Sequence, residues 1–361
     1  MKFLNYRKDD KLSTMFDNEV AVLIDGKRFR YWSRIKINLA IDNIATTEIE
    51  APFDPDDWVF TDTFKPLSYK PFGVSINDKT FFTGTMVPVN PKLESNSSEI
   101  AAGAYSLPGI LTECSEPITA FPLELKKQNL RDIAVKLLKP FNLVVDMRGD
   151  PGSVFDKVAI KPENKVLPFL VELAQQRGYV ISSSEVGDLV FWRAVEAGEP
   201  VALLEQGMPP MTRVEPAVSP AEYYSEITGV KPIRVRSKTS KSFTVKNSFL
   251  PGIFRPFIFS IPQGKDIDLE QAVRAKTSRM YANVVAYSVD VATWRDSHGE
   301  LWAPNTVVRL RAPGAMVYDY HDFIIRSVAF EKDKEKEMAT LDLMLPGSFG
   351  TTEPGGLPWE R

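Results

Sequence analysis

The chain has 361 residues, 43% hydrophobic and 25% charged, with a net charge of −3. That is an ordinary soluble composition, too long for one ordinary core, so roughly two to four domains are expected. A near-neutral chain is not a dedicated nucleic-acid binder, which carries a strongly basic domain. It remains compatible with DNA sliding past it, because a weakly negative wall offers phosphates no counter-charge. The single cysteine, Cys114, excludes an intramolecular disulfide. Neither a signal-peptide apolar run nor a stretch of about 18 apolar residues occurs, so no membrane insertion and assembly in the cytoplasm are expected.

The 27 prolines and many short apolar runs point to strands and turns more than long helices. Val20–Ile24, the Asp25-Gly26 turn and Lys27–Tyr31 read as a hairpin. In Ser33–Ile41 the residues Ile35, Ile37, Leu39 and Ile41 alternate with polar or small ones, the period of a strand with one buried face. Thr46–Ala51 continues the β character, and Phe53–Pro66 reads as a loop from its Pro and Asp content. Phe72–Ile76, the Asn77-Asp78 turn and Lys79–Val87 predict a second hairpin, Pro91–Ser98 a polar loop, and Glu99–Cys114 further β structure. Closely spaced strand–turn–strand runs of this kind predict a small antiparallel barrel or sandwich.

The middle changes period. Leu130, Ile133, Ala134, Leu137 and Leu138 define an amphipathic helix with Asn129 as N-cap, stopped by Pro140. Phe141–Val145 reads as the strand that follows. The pattern recurs in a helix over Val166–Gln176, stopped at Gly178, and a strand over Tyr179–Ser182, with Leu189–Trp192 returning after a turn. Residues 119–195 therefore read as a small α/β domain with two helix-to-strand units.

Val201–Pro220 is Pro-rich and reads as an irregular linker. Tyr223–Val230 is a strand, Arg234–Gly264 an arm or further strands, and Leu269–Ala282 a helix with Asp268 as N-cap. Val284–Val291 and Thr306–Leu310 are strands. Asp322–Phe330 and Met338–Leu345 pair across the charged run Glu331–Glu337, which reads as a solvated hairpin loop. The order is β, then α/β, then mostly β.

Little in the sequence points to chemistry. His298 and His321 stand outside any metal-ligand spacing, and no nucleophile elbow, phosphate-binding loop or dinucleotide fingerprint occurs. Asp56 and Asp57 are an acid pair of the residue type that glycoside hydrolysis uses, but that chemistry depends on a separation the sequence does not fix. Trp32, Trp58, Trp192 and Trp294 lie beside strand signals and are expected as core or interface anchors. Cys114 is expected as a buried apolar residue. Lys231–Lys246, with Arg234, Arg236, Lys238 and Lys241, is the one concentrated basic stretch. It is expected as a solvated arm or a contact with an acidic partner subunit, with nucleic-acid contact the alternative. No catalytic, cofactor-binding or metal-binding residue is assigned, and the chain is expected not to be an enzyme.

The late segment is the most telling. A helix ending near Tyr281-Ala282 leads into Val284–Val289, Trp294 and the run Gly299-Glu300-Leu301-Trp302-Ala303-Pro304-Asn305, and the chain closes on Leu341-Asp342-Leu343-Met344-Leu345-Pro346 and Phe349. In the order of these elements, from about Val20 to Phe349, the chain resembles the baseplate hub proteins of Mu-like contractile-tailed phages, the late-control hub family. Ala102–Leu111 departs from the G-R-S-x-x-x-D-L run that this family often carries there. The resemblance implies an α+β, mainly β fold with two tube-like antiparallel β-barrel domains and a small α/β domain between them. Residues 1–118 and 196–350 would be the barrels, with an arm or insertion near 231–283 in the second, and 351–361 a tail. It also implies a homotrimer that adapts the six-fold tail tube to the three-fold spike in the virion baseplate. Its partners would be the tail tube and tail spike proteins, and viral DNA would pass through its lumen without specific binding. A hub of a type VI secretion spike or R-type tailocin is the alternative, and a cell-wall glycan hydrolase the third reading.

Overall fold

The computed structural model describes residues 18–93, 98–231, 241–261, 269–350 and 353–360. The first group of strands comprises β1 (Val20–Ile24), β2 (Lys27–Phe29), β3 (Arg34–Ala40), β4 (Thr46–Pro52), β5 (Pro71–Ile76), β6 (Lys79–Leu93) and β7 (Ser98–Ser106). The β1–β2 turn places Asp25 at φ +52° and Gly26 at +73°, and the β5–β6 turn places Asn77 at +50° and Asp78 at +63°. Those are the paired left-handed residues that a two-residue hairpin with right-handed twist requires, and Gly, Asn and Asp tolerate them. Phe53–Pro66 is not all loop: it contains α1 (Trp58–Thr63), whose first turn is capped by Asp57, the Oδ1 accepting from the Val59 N–H at 2.8 Å. The expected loop from Pro91 begins as strand, since β6 runs to Leu93, and 94–97 lie outside the described residues. The further β structure expected over Glu99–Cys114 ends at Ser106, where a 3-10 turn over Leu107–Thr112 takes over with Pro108 in its first turn.

The α/β unit contains β8 (Leu123–Gln128), α2 (Leu130–Leu138), β9 (Val145–Met147), β10 (Phe155–Ile160), α3 (Val166–Gln175), β11 (Val180–Ser183) and β12 (Leu189–Trp192). Asn129 caps α2 by accepting from the Asp132 N–H at 2.9 Å, and all five periodic apolar residues of that helix are buried. The strand after α2 starts at Val145 rather than Phe141, because Asn142 adopts a left-handed conformation (φ +54°) that ends the helix first. β8 and β10 form an antiparallel pair. β12 joins β9 in parallel and β11 antiparallel. Helices and strands enclose a core of their own around Leu130, Leu137, Phe169, Leu170, Tyr179 and Phe191.

The third group is β13 (Leu203–Glu205), β14 (Met211–Val218), β15 (Glu226–Val230), β16 (Ser242–Lys246), β17 (Pro256–Ser260), α4 (Leu269–Val284), β18 (Val285–Val291), β19 (Val307–Ala312), β20 (Val317–Asp333) and β21 (Glu337–Met344). The expected linker Val201–Pro220 is thus largely strand: β13 runs parallel to β19, and β14 antiparallel to β18. Pro216 is tolerated because β14 is an edge strand with one neighbour, so its missing N–H breaks no second ladder. The segment after it is a small sheet ordered β16-β15-β17 with α4 packed on it, Gly229 of β15 lying under Val273. Arg234, Arg236, Lys238 and Asp268 lie outside the described residues. The charged run is not all loop: Glu331–Asp333 end β20 and Glu337 opens β21, so only 334–336 turn, with Asp333 Oδ1 accepting from the N–H groups of Glu335 and Lys336 at 2.8 Å each. These bonds hold the Asp333 carboxyl below the usual carboxylate range.

Most strands belong to one sheet. Thirteen strands follow the order β14-β18-β21-β20-β3-β4-β7-β6-β5-β1-β2, with β19 and β13 branching from β20. The join is β20, whose 17 residues pair first with β19 and then with both β21 and β3. The mainly β, antiparallel expectation holds. Two tube-like barrels were also expected, but among the described residues the pairing never returns on itself. Chain-terminal and chain-initial strands instead share a single apolar layer, in which Phe81 of β6 packs edge-on against Phe330 of β20 at 5.3 Å between ring centres, with Trp294 on the same ring at 5.2 Å.

Candidate interaction face

In a strand, alternate side chains point to opposite faces, and the registers align these alternations across β14, β18, β21, β20, β3, β4 and β7. On one face Val289, Leu341, Val328, Phe330, Ile37 and Ile49 are fully buried. On the other, cross-strand rows are small, polar or charged. One row runs Glu215, Ser288, Asp342, Ser327, Ala40. The next runs Arg213, Asp290, Thr340, Ala329, Asn38, Thr46. A third carries Met338, Glu331, Lys36, Glu48 and Gly103. The central members of these rows, among them Ser288, Asp342, Ser327, Asn38 and Glu331, line a groove of about 660 Å³ along β3, β20, β21 and β18, together with Asp42 and Arg326.

The face is net acidic. Glu215, Asp290, Asp342, Glu331, Glu48 and Glu50 outnumber Arg213, Arg34 and Lys36. Neighbours hold the acids in place: Ser327 Oγ donates to Asp342 Oδ2 at 2.6 Å and Thr340 Oγ1 to Asp290 Oδ1 at 2.7 Å. Arg34 reaches Glu331 on β20 at 3.2 Å and Glu50 on β4 at 3.1 Å, crossing the seam between the two strand groups. The hydrogen bond to Glu331 is the largest influence raising the Arg34 pKa above its ordinary value. Both partners are partly exposed, so the contacts fix side-chain positions more than they add stability.

The α/β unit is fastened to this sheet by polar contacts. Trp192 Nε1 donates to the Ile41 carbonyl at 2.9 Å, and the Ala45 N–H donates to Ser183 Oγ at 3.0 Å. Asn305, the last residue of the Gly299–Asn305 run, is left-handed at φ +69°. Its Oδ1 accepts from the Val195 N–H at 2.8 Å, its Nδ2 donates to the Arg193 carbonyl at 3.1 Å, and its own N–H donates to Ile325 of β20 at 2.8 Å. In the same run Trp302 is buried and donates to the Thr293 carbonyl at 3.0 Å. The run is a structural knot that ties the end of β12 to the central strand.

The other residues singled out in the sequence are dispersed. His298 is exposed in its turn, and His321 is half-buried beside Phe323, with ring centres 5.1 Å apart. Burial lowers the His321 pKa, against the opposing pull of Asp322. Cys114 is half-buried rather than buried, with no disulfide. Asp57 caps α1, and Asp56 donates its N–H to Asp54 Oδ1 in the preceding loop. Trp294 is buried, with its Nε1 donating to the Met338 carbonyl at 2.8 Å. Trp32 and Trp192 are partly buried against the core clusters, while Trp58 is 74% exposed. Tyr31, Leu67 and Tyr69 are exposed as well, and Tyr31 packs against Phe60 of α1 at 5.5 Å between ring centres. Among the described residues, no three His, Cys, Asp or Glu converge as metal ligands, and no helix is long and apolar enough to cross a membrane.

Residues 108–193, which span the α/β unit, match the family model "Baseplate hub protein gp44-like, second domain". Over 308 residues the chain is 22% identical to the baseplate hub protein gp44 of Escherichia phage Mu, covering 82% of this chain and 79% of that protein. The chain is similar to the baseplate hub proteins of Mu-like phages. Its fold is shared with the 43 kDa tail protein of prophage MuSo2 from Shewanella oneidensis, at a TM-score of 0.78 and 21% identity over 92% of this chain and 99% of that one. A type VI secretion component of E. coli, described as structurally similar to the T4 tail proteins gp27 and gp5, overlaps at a TM-score of 0.57 and 10% identity, covering 92% of this chain and 79% of that one. What this chain shares with these Mu-like proteins is therefore a baseplate or tail protein's fold. The feature that sequence reasoning missed is the continuity of the polar sheet face.

Proposed function

We propose that this protein is a non-enzymatic baseplate hub of a contractile phage tail. Three copies form a ring that adapts the six-fold tail tube to the three-fold spike. The observation that carries this reading is the single sheet with one apolar and one polar, net acidic face. Each copy brings two strand groups, β1–β7 and β13–β21, so three copies bring six, the number a six-fold tube needs. Residues 1–118 and 196–350 are read as the two tube-like segments, 119–195 as the α/β domain between them and 351–361 as a tail. The tube closes between copies rather than within one chain, and the open edges at β14 and β2 are where neighbours add.

The polar face then turns inward. Its small side chains leave room, and its excess of carboxylates gives passing DNA no counter-ions to release, so the duplex moves without being held. Exposed Trp58 and Tyr31 suit contact with the tail tube or spike proteins, because aromatic residues are enriched at such interfaces. The site of action is the virion baseplate, after assembly in the host cytoplasm. The type VI component with the same fold supports a second reading, a secretion-spike or tailocin hub, in which no viral DNA passes.

Light scattering after size exclusion tests the ring. A mass near three times the 40.6 kDa chain is expected. A single-chain mass that persists with the neighbouring spike protein present would overturn the reading.

A further inference from the structure

The chain leaves the large sheet after β14 and returns to it through α4, and between the two it builds a small lobe of β15–β17 and α4. The charge of this lobe sets it apart. The described residues of 223–284 carry seven Lys and Arg against two Asp and Glu, in a chain that has 44 against 47.

One face of the small sheet lies under α4, where Ile227 is buried and Gly229 approaches Val273. The registers put Thr228, Thr244 and Ile258 in one row on the opposite face, and Glu226, Lys246 and Pro256 in the next. This second face is open. Ile258 is 66% exposed, and Phe254, just before β17, is 81% exposed. β17 is also an edge strand, paired with β15 alone among the described residues, so its outer side can accept another chain. Cations flank it: Lys246 is exposed on the open face, and Lys276 of α4 holds its Nζ 5.7 Å from the Phe257 ring centre. Exposed apolar side chains inside a polar rim are the makeup of an interface.

The position of the lobe indicates what docks there. Ile227, Val245 and Val273 belong to the same apolar cluster as Val289 and Leu341 of the large sheet. The lobe therefore packs on the apolar side of that sheet, and on the hub reading it stands outside the hole, away from DNA. It also flanks the β14 edge, since the Ser219 N–H, just after β14, donates to the Val284 carbonyl at the end of α4 at 2.9 Å. A neighbouring copy that joins this edge through its β2 brings its β1–β7 group beside the lobe. Residues 18–118, which contain that group, carry 14 Asp and Glu against nine Lys and Arg.

We propose that the open face and the β17 edge of the lobe form an interface with the β1–β7 group of the next copy in the ring, basic surface against acidic surface. The proposal rests on the hub reading, because the ring is what puts these two parts side by side. The contact is head to tail, the kind that closes a three-fold ring, and its opposite charges orient the copies as they meet.

The test uses the full chain together with the neighbouring spike protein. Lys241→Glu, Lys246→Glu and Lys276→Glu, combined in one variant, reverse three exposed charges and leave the buried residues untouched. At low salt its trimer is expected to dissociate at a concentration about tenfold or more above that of the wild type. The two proteins should converge as salt rises, with unchanged circular dichroism. Equal dissociation at low salt would overturn the proposal and leave the hub reading standing. A wild type that stays monomeric with the spike protein present would overturn the hub reading itself, and the proposal with it. A photo-crosslinking residue at Ile258 provides a check that changes no charge. Adducts to residues 18–118 of another copy are expected. Adducts only to DNA or to another tail protein, or none at all, would overturn the assignment.

Discussion

Asn305 joins three parts of the chain through one side chain and its own backbone. Its left-handed φ is a conformation that Asn adopts at little cost and that costs most residues roughly 1 kcal/mol or more. Its amide satisfies the partly buried N–H of Val195 and the more exposed carbonyl of Arg193. Asn305→Ala should therefore lose about 2–4 kcal/mol in urea unfolding, combining unpaired backbone groups with the backbone penalty. Asn305→Gly, which keeps the conformation, should lose less. Equal losses would show that the hydrogen bonds alone matter. His321 yields a pH prediction. Its folded pKa lies below the ordinary value, so the unfolded chain binds its proton more readily. The stability it contributes is fully present above its unfolded pKa near 6.5 and is lost as pH falls toward the lower folded value. Melting followed from pH 7.5 to 5.5 should fall more steeply for the wild type than for His321→Gln; parallel curves would contradict the burial of the neutral ring.

At the scale of elements, a close approach sets how α4 sits on the small sheet. A Cβ added at Gly229 would come within 2.5 Å of Val273 Cγ2 and 3.2 Å of Ile261. Gly229→Val should push α4 away from β15, and hydrogen exchange should quicken in β15–β17 and α4 while β3 and β20 keep their protection. Uniform loss across the molecule would mean that the small sheet does not open on its own. Such elements differ in how far the sequence reveals them. The period of Leu130, Ile133, Ala134 and Leu137, closed by Asn129 and Pro140, carries α2 within its own residues. The alternation at Ile35 and Ile37 does the same for β3. β14 was hidden because Pro209, Pro210, Pro216 and Pro220 read as a linker, and only its position at a sheet edge makes such a strand tolerable. The helix α1 was hidden because a six-residue helix is too short to show a period.

For the molecule as a whole, the decisive fact is a pairing between β3 and β20, strands far apart in the chain. No local signal announces it: Arg34, Lys36 and Asn38 read as the polar side of one strand, and only the register shows that they continue Glu331 and Ala329. The order of elements and the Gly299–Asn305 run carried the likeness to hub proteins, but not the face that the join creates. That face makes a prediction about DNA. Its carboxylates should leave the wild type with negligible affinity for duplex DNA at physiological salt. A triple variant, Glu48→Lys, Glu50→Lys and Asp342→Lys, should gain binding that weakens steeply as salt rises. Strong wild-type binding under the same conditions, read by fluorescence anisotropy, would contradict a sliding surface.

The hub reading requires that the polar face of the shared sheet lines a three-fold opening. Electron microscopy of the assembled particle, with the chain fitted to the averaged map, measures this directly. The prediction is a ring of three copies in which Ser288, Ala329, Asn38 and Glu48 face the central hole. A ring with those residues on its outer surface, or particles without a hole, would contradict it.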